Sequence, residues 1–402
     1  MSRRSKENSR RMREQRWLID KAVETTGVDF VWPMTRAAMG AIGLDVAPDV
    51  MGIRARVRKC ADISREFARV AQKREAMAKR AEDENHHVTA RDNYFAAAIF
   101  YGMAQWPIHE DDNEENITFH NRKTQCYDRF IEHAPHPIEK VEIPFEGKSL
   151  PGLLHFPPHR PERAPCVLYF DGMDGFKEML NPLHGNKLLE RGMAVLSIDG
   201  PGQGECCMRK IRCTSDNFAR AGQAAMDFLS ARREIDPERI GVWGMSMGSF
   251  WVTQVVAHDH RYKAAVAHLV CHEPGMNTIF NMASPTFKAR YMWMAGYEDE
   301  EAFDKFAQSL SLKGLGAKIQ CPFLIVAGGD DELSPVEHSY SLYEEIPSPK
   351  KIVVYEGENH SIEGHALEVR TLIADWLRDR LDGKPMASER ILIEVSGRES
   401  KS

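Results

Sequence analysis

The spacing of apolar residues along the chain changes near residue 138. Before that point, apolar side chains recur with helical spacing in residues 21–43, 57–80 and 117–134. A further helix is predicted from Thr89 to just before Pro107, and we expect it to be buried because it is apolar on more than one face. The pattern therefore predicts an N-terminal helical domain over residues 1–137.

Beyond that point the pattern changes to strands that alternate with helices. In residues 141–145 every second side chain is apolar, which predicts a strand. Lys148-Ser149 is the predicted turn into the second strand of an opening hairpin. Short apolar runs rich in β-branched residues then follow at residues 166–170, 193–198, 240–245, 264–270, 322–327 and 351–355. This predicts an α/β fold with a doubly wound, mostly parallel sheet over residues 138–382, and leaves residues 383–402 as a C-terminal tail.

One segment interrupts the alternation of strands and helices. Residues 274–318 hold several aromatic and methionine side chains, among them Phe280, Tyr291 and Trp293. A lid-like insertion or pocket wall is one interpretation of this segment. An outer pair of helices that packs a small core of its own explains the same residues, and both interpretations stay open.

Composition narrows the class of protein. The 402 residues carry a formal charge of −6, which predicts no general attraction to nucleic acid or to a membrane surface. Residues 2–16 are basic but lack the apolar run of a secretory signal, so a solvated tail or helix start is expected. The eight cysteines are scattered without zinc-site spacing, and as reduced thiols they favour a cytoplasmic location.

The strongest candidate for chemistry is Ser246. It lies in Gly244-Met245-Ser246-Met247-Gly248, directly behind the apolar run of residues 240–243. A buried strand that runs into G-x-S-x-G and then a helix is typical of a nucleophile elbow, which exposes its serine above the sheet. Small residues also cluster at strand–helix turns for packing alone, so the partners of the serine decide the interpretation.

Those partners follow in the order acid, then histidine, each behind a predicted strand. Asp331 is the preferred acid because it stands four residues before Pro335; Asp330 and Glu273 remain alternatives. His360 follows the last predicted strand, where a histidine can act as general base and then as general acid.

An acyl-transfer site also needs donors for the developing oxyanion. The backbone N–H of Met247 is the first candidate, and the loop Asp171-Gly172-Met173-Asp174-Gly175 offers Met173 or, next, Gly172. A second glycine loop, residues 199–205, fits neither a phosphate-binding loop nor a dinucleotide fingerprint. We expect it to form a rigid turn beside the active site.

Over roughly residues 85–382 the chain resembles the branch of the α/β-hydrolases that contains 2,6-dihydroxypseudooxynicotine hydrolase, fungal heptaketide hydrolases and fermentation-respiration switch esterases. The residues that carry this resemblance are 87–94 through Trp106, Ile143-Pro144-Phe145, the loop 200–205 and the three triad positions. The resemblance implies an α/β-hydrolase core, an N-terminal helical domain that covers the active site, and a triad of Ser246, Asp331 and His360. It also implies a homodimer.

The expected activity is that of a serine hydrolase on a small-molecule carbonyl substrate, with no metal or organic cofactor. Relatives in this branch cleave either carbon–carbon bonds next to a ketone or esters, so an aryl ketone or β-dicarbonyl substrate and a carboxylesterase activity are both considered. A non-catalytic binding protein is the alternative from another class. Peptidases of the prolyl-oligopeptidase kind are disfavoured, because they normally carry a β-propeller that the helical first residues cannot supply. Candidate substrate-binding residues are Glu273, Tyr101, Trp106 and His109.

Overall fold

The computed structural model describes residues 9–159, 161–183 and 185–401. The chain divides into two compact units. The first, called here the helical unit, comprises Met1–Ile138, Glu178–Asn186 and Cys207–Lys210. The second, called the sheet unit, comprises Glu139–Lys177, Lys187–Cys206 and Ile211–Ser402. Most of the basic N-terminal stretch, residues 2–8, lies outside the described residues.

The first part of the chain is helical, as the 3.6-residue period predicts. Its α-helices in the described residues are α1 Arg10–Glu14, α2 Arg16–Thr26, α3 Met34–Ile42, α4 Ala47–Arg56, α5 Ile63–Asp83, α6 His87–Gln105 and α7 Glu114–Glu132. Helix α6 begins two residues before the predicted Thr89 and is buried without interruption from residue 93 to residue 104. Its Phe95 packs on Phe130 of α7 with ring centroids 4.9 Å apart, and Phe100 lies 6.3 Å from Phe67 of α5. Helix α6 therefore forms the apolar centre of the helical unit.

A single sheet contains all ten strands of the described residues. They are β1 Ile138–Phe145, β2 Lys148–His155, β3 Ala164–Phe170, β4 Ala194–Ile198, β5 Ile235–Met245, β6 Ala264–His268, β7 Phe323–Gly328, β8 Lys350–Tyr355, β9 Glu389–Ile393 and β10 Glu399–Lys401. Their order across the sheet is β1-β2-β4-β3-β5-β6-β7-β8-β9-β10. The pairs from β4 through β9 are parallel, whereas β2–β4 and β9–β10 are antiparallel. This confirms the predicted α/β-hydrolase fold with its mostly parallel sheet and N-terminal helices.

Further helices lie between and after the strands. They are α8 Gly204–Met208, α9 Asn217–Ser230, α10 Met247–His258, α11 Pro285–Ala295, α12 Glu300–Ala307, α13 Glu337–Glu345 and α14 Ala366–Leu381. Strands β3, β4, β6 and β7 are buried along their whole length, as expected for parallel strands covered by helices on both faces. None of the helices in the described ranges is long and apolar enough to cross a membrane.

Two local predictions need correction. The hairpin turn lies at Glu146 and Gly147, with φ of 47° and 77°, while Lys148 and Ser149 already belong to β2. A two-residue hairpin turn favours positive φ at both positions, and the glycine accepts it without steric cost. The C-terminal segment is more than a tail: β9 pairs with β8, and β10 pairs with β9.

The insertion of residues 274–318 is helical and has an aromatic cluster of its own. A 3₁₀ turn Pro274–Met276 and a π-helix Thr278–Met282 precede α11 and α12. Phe303 of α12 lies 5.2 Å from Phe280, 6.1 Å from Tyr291 and 6.0 Å from Tyr297, measured between ring centroids. This packing favours the interpretation of an outer helix pair with a small core; a lid role stays a prediction.

Candidate active site

The turn between β5 and α10 holds Ser246 in a strained conformation. Its φ of 55° and ψ of −123° fall in a region that side-chain-bearing residues rarely adopt. The N–H of Ser246 donates to the carbonyl of His268 at 2.8 Å, which fixes the turn against the neighbouring strand β6. Strain of this kind persists only where the surroundings enforce it, and it is the conformation that a nucleophile elbow requires.

The flanking glycines are needed because backbone passes within contact distance on both sides. A Cβ on Gly244 would lie 2.0 Å from the carbonyl oxygen of Gly248. A Cβ on Gly248 would lie 2.5 Å from the carbonyl oxygen of Phe170. Any side chain at either position would push the strand and the helix apart, so the G-x-S-x-G spacing follows from steric exclusion.

His360 and Asp331 complete a hydrogen-bonded chain with the serine. The Oγ of Ser246 lies 3.0 Å from Nε2 of His360, and Nδ1 of the same ring lies 2.8 Å from Oδ2 of Asp331. Asp331 stands in the turn after β7, and His360 stands in the loop after β8. The three side chains thus meet at the carboxyl ends of β5, β7 and β8, where the parallel topology collects ligands.

Of the three candidate acids, Asp331 is the one that contacts His360. Its other oxygen, Oδ1, accepts the N–H groups of Leu333 and Ser334, both at 2.9 Å, so the carboxylate is held in one orientation. Asp330 is exposed. Glu273 instead accepts the N–H of Thr278 at 2.7 Å, which places its carboxylate at the start of the π-helix.

The charge of Asp331 controls the titration of His360. Burial lowers the pKa of His360, but the charge of Asp331 and its hydrogen bond outweigh burial, with help from Glu332, so that the net pKa is raised. Burial lowers the pKa of His268 and that of His272 to about 3, which keeps both neighbouring rings neutral near pH 7. Of these three imidazoles, His360 is the one whose pKa is raised above its usual value.

The loop after β3 passes directly over the serine. A Cβ on Gly172 would lie 3.0 Å from Cβ of Ser246, so only glycine fits there without displacement. The N–H of Gly172 donates to Oδ1 of Asp171 at 2.7 Å and is thereby occupied. Gly172 is thus a poor oxyanion donor, which leaves the N–H groups of Met173 and Met247 as the candidates. Met247 is the first residue of α10, and N–H groups of a first helical turn have no partner within the helix.

The carboxyl group of Asp171, next to Gly172 in the loop after β3, has a raised pKa. It is buried in the loop, and burial raises its pKa to about 7. Its Oδ2 has no hydrogen-bond partner among the described residues, and a Cβ on Gly175 would lie 2.0 Å from that oxygen. Close to neutral pH the side chain is therefore partly protonated, because ionisation in this setting is costly.

The predicted substrate-binding residues of the helical unit pack inside that unit. The hydroxyl of buried Tyr101 donates to Oε2 of Glu75 at 2.9 Å. Trp106 stacks on Trp32 with centroids 5.9 Å apart, and the ring of His109 lies 6.1 Å from Trp106. Tyr101 and Trp106 are buried and His109 is half-buried, and a role of the three side chains in substrate binding stays a prediction.

Several residues near the site escaped the sequence analysis. The carboxylate of Glu332 accepts the N–H of His360 at 2.9 Å, and the thiol of Cys271 lies 3.9 Å from Oγ of Ser246. Arg290 of α11 donates from Nε to the carbonyl of Met173 at 3.3 Å. Two of them had a local signal, because Glu332 stands next to Asp331 and Cys271 stands two residues before Glu273. Arg290 had none, because it lies within the insertion. Within the described ranges, no group of three or more His, Cys, Asp or Glu side chains is arranged to hold a metal ion.

Comparison with known proteins gives consistent matches. The family model described as the prolyl oligopeptidase family matches residues 184–384, half of the chain. The 2,6-dihydropseudooxynicotine hydrolase of Paenarthrobacter nicotinovorans is 25% identical over 323 residues, which cover 79% of this chain and 84% of that protein. Esterase FrsA of Yersinia pestis is 24% identical over 315 residues, with 75% and 74% covered.

A fungal relative and a solved structure agree with these matches. The 20-hydroxy-prefusarin hydrolase FUS2 of Gibberella moniliformis is 26% identical over 304 residues, covering 65% of this chain and 71% of that protein. The crystal structure of the 2,6-dihydroxy-pseudo-oxynicotine hydrolase superposes with a TM-score of 0.75 at 25% identity, covering 88% of this chain and 97% of that chain. The family takes its name from the kind of peptidase that the sequence disfavours; the match concerns residues 184–384, and the expectation against peptidase activity stays a prediction. With the strand order of the sheet, these matches show that the chain belongs to the prolyl oligopeptidase family and is an α/β-hydrolase enzyme.

Proposed function

We propose that the protein is a serine hydrolase with Ser246 as nucleophile, His360 as general base and general acid, and Asp331 as the group that orients the imidazole. The observation that carries this proposal is the continuous hydrogen-bond chain from Oγ of Ser246 through both ring nitrogens of His360 to Asp331. The strained φ of Ser246 supports it independently, because packing alone gives no reason to hold a serine in that conformation.

The geometry accommodates a two-step reaction. Nε2 of His360 takes the hydroxyl proton as Oγ of Ser246 attacks the substrate carbonyl carbon, and the oxyanion accepts the N–H groups of Met247 and Met173. Collapse of this intermediate breaks the bond to the leaving group, which takes the proton from His360 and departs. A water molecule, deprotonated by His360, then attacks the acyl-enzyme, and collapse of the second intermediate releases the carboxylic acid and restores the Ser246 hydroxyl.

The leaving group decides which bond is cleaved. An alkoxide needs only the proton from His360, whereas a carbon leaving group must be stabilised as an enolate or as an electron-rich aromatic carbon. The resemblance to a branch that cleaves carbon–carbon bonds next to ketones supports an aryl ketone or β-dicarbonyl substrate for this chain. Similarity to esterase FrsA supports hydrolysis of small esters as the second candidate.

The test combines active-site labelling with substrate comparison. We expect a fluorophosphonate probe to label the wild-type protein and the Ser341→Ala control, which changes an exposed serine, but not Ser246→Ala. Turnover of aryl β-diketones and of p-nitrophenyl esters should disappear in Ser246→Ala alone, and the faster class in the wild type identifies the bond type. Full labelling of Ser246→Ala would falsify the nucleophile, and absence of labelling in the wild type would favour a non-catalytic binding protein.

Quaternary structure and location extend the same proposal. The resemblance supports a homodimer, and the eight free, buried cysteines fit a reducing cytoplasm. Light scattering should then give twice the chain mass of 45.7 kDa. A single chain mass at micromolar concentration contradicts the dimer.

A further inference from the structure

The loop that passes over Ser246 is held by the amide of Gln203. Nε2 of this side chain donates to the carbonyl oxygens of Asp171 at 3.0 Å and Gly172 at 2.8 Å. Gln203 is only 1% exposed, so both hydrogen bonds form away from solvent, where they are stronger than at a surface. The contact joins the loop after β4, which carries the glycine motif of residues 199–205, to the loop after β3.

Gln203 is itself fixed within its loop. Its Oε1 accepts the N–H of Gly200 at 3.1 Å. Behind it, the buried carboxylate of Asp199 accepts the N–H of Lys177 at 2.8 Å and that of Glu205 at 2.9 Å. These bonds attach the glycine loop to the far end of the loop over the serine, so the amide of Gln203 has little freedom to turn away.

The peptide bond that Gln203 contacts is the one that carries the candidate oxyanion donor. The carbonyl of Gly172 and the N–H of Met173 belong to the same peptide group, in which a trans geometry points them in opposite directions. A donor anchored on the carbonyl therefore fixes the direction of the N–H and polarises it. Because the N–H of Gly172 is occupied by Asp171, the orientation of this one peptide group determines the second donor of the site.

We propose that Gln203 is a positioning residue for the oxyanion hole, acting through the peptide group between Gly172 and Met173. The inference rests on the proposed serine hydrolase function. It assigns to the glycine loop a role in transition-state stabilisation beyond that of a rigid turn. Substrate does not need to contact Gln203 for this role.

The rate of phosphonylation tests the proposal without knowledge of the natural substrate. In the adduct with a fluorophosphonate, the phosphonyl oxygen takes the place of the carbonyl oxyanion. We expect Gln203→Met, which keeps the side-chain size but removes the amide, to slow labelling of Ser246 about 10- to 100-fold, less than loss of a direct donor. The acid limb of the pH–rate profile should stay where it is, because the pair of Ser246 and His360 is untouched.

A matched control separates positioning from general stability. Gln254 is also buried and donates from Nε2 to the backbone carbonyl of Ser215, but it lies two turns along α10 from the serine. Gln254→Met should label at the wild-type rate. Labelling of Gln203→Met within threefold of wild type overturns the proposal, as does an equal loss in both variants with equally lowered melting temperatures.

Two further measurements test the proposal if Gln203→Met does not fold. With its carboxylate ionised, Gln203→Glu keeps the acceptor for Gly200 but has no donor, so at high pH it should be slowed at least as much as Gln203→Met. A crystal structure of the wild-type phosphonyl adduct should show the phosphonyl oxygen on the N–H of Met173 with Gly172 still bound to Gln203; a phosphonyl oxygen away from Met173 overturns the inference. Failure of the wild type to label at Ser246 is a separate outcome that contradicts the proposed function itself.

Discussion

Nδ1 of His360 lies 2.8 Å from Oδ2 of Asp331, and the two side chains are almost completely shielded from solvent. In this setting the carboxylate raises the pKa of the imidazole above its usual value in spite of burial. The pair therefore sets both the tautomer of the ring and the pH at which the ring loses its charge.

Replacement of Asp331 by Asn should change the pH profile as well as the rate. The base must be neutral to accept a proton, and loss of the carboxylate lowers the pKa of His360, so the acid limb of the pH–rate profile moves to lower pH. The plateau should fall about 10³- to 10⁴-fold, since an amide favours the wrong tautomer. Steady-state rates from pH 5 to 9 measure both effects. Asp330→Asn, the same change one residue earlier on an exposed side chain, should leave the limb in place; an acid limb that moves with Asp330 and not with Asp331 contradicts the assignment.

Asp171 should make the folded state less stable as pH rises. Its folded pKa of about 7 lies above the ordinary value of 3.8, so the folded state holds more protons between these values. The free energy of unfolding then falls with rising pH in this window, by at most about 1.4 kcal/mol per pH unit. Asp171→Asn removes this contribution. Urea unfolding at pH 5 and pH 8 should show that the free energy of unfolding falls less between these pH values in the variant than in the wild type. Asp330→Asn should follow the wild-type slope, and an identical slope in Asp171→Asn would rule the idea out.

Gly244→Ala should destabilise the protein through a steric clash. The new Cβ would lie 2.0 Å from the carbonyl oxygen of Gly248, and backbone on both sides must move. We expect a loss on the order of 3 kcal/mol in the free energy of unfolding, together with loss of probe labelling at Ser246. Gly314→Ala is the control: φ there is 75° with nothing within 4 Å, so its cost should stay near 1 kcal/mol from backbone strain alone. Equal stability of the two variants contradicts the steric explanation.

Phe303→Ala tests the aromatic cluster of the insertion. Phe303 is fully buried against several rings, and truncation of such a side chain costs about 3–5 kcal/mol. The exposed Met282 of the same insertion provides the control, because Met282→Ala should change stability by less than about 0.5 kcal/mol. Limited proteolysis and urea unfolding measure the effect. If Phe303→Ala is as stable as the control, the insertion does not depend on this cluster.

Much of the fold followed from local pattern. Period-two and 3.6-residue repeats arise from neighbours a few residues apart, so they located the parallel strands and the N-terminal helices. The last two strands were missed, because β9 and β10 are short and partly exposed. The partner of β9 is β8, which lies more than thirty residues earlier in the chain, and β10 pairs only with β9.

The candidate site also has a part that the sequence predicted and a part that only the tertiary structure decided. The G-x-S-x-G pattern reflects a local steric requirement, because a side chain at Gly244 or Gly248 would collide with neighbouring backbone. The sequence alone therefore identified Ser246 as the candidate nucleophile. The order of strands then indicated Asp331 and His360, because carboxyl ends of parallel strands meet at one edge. Tertiary structure alone decided that His360 contacts Asp331 and that Glu273 caps a helix.

The contacts of the loop after β3 depended most on tertiary structure. No pattern in the sequence shows that Asp171 occupies the N–H of Gly172, or that Gln203, thirty-one residues beyond Gly172, donates to its carbonyl. These contacts join loops that follow neighbouring strands, and their geometry depends on the packing of β3 beside β4. The sequence by itself determined the candidate nucleophile, Ser246, because the requirement for glycine on both sides of it is local. The folded chain decided which peptide groups of the loop after β3 are held beside that serine, because those contacts join distant segments.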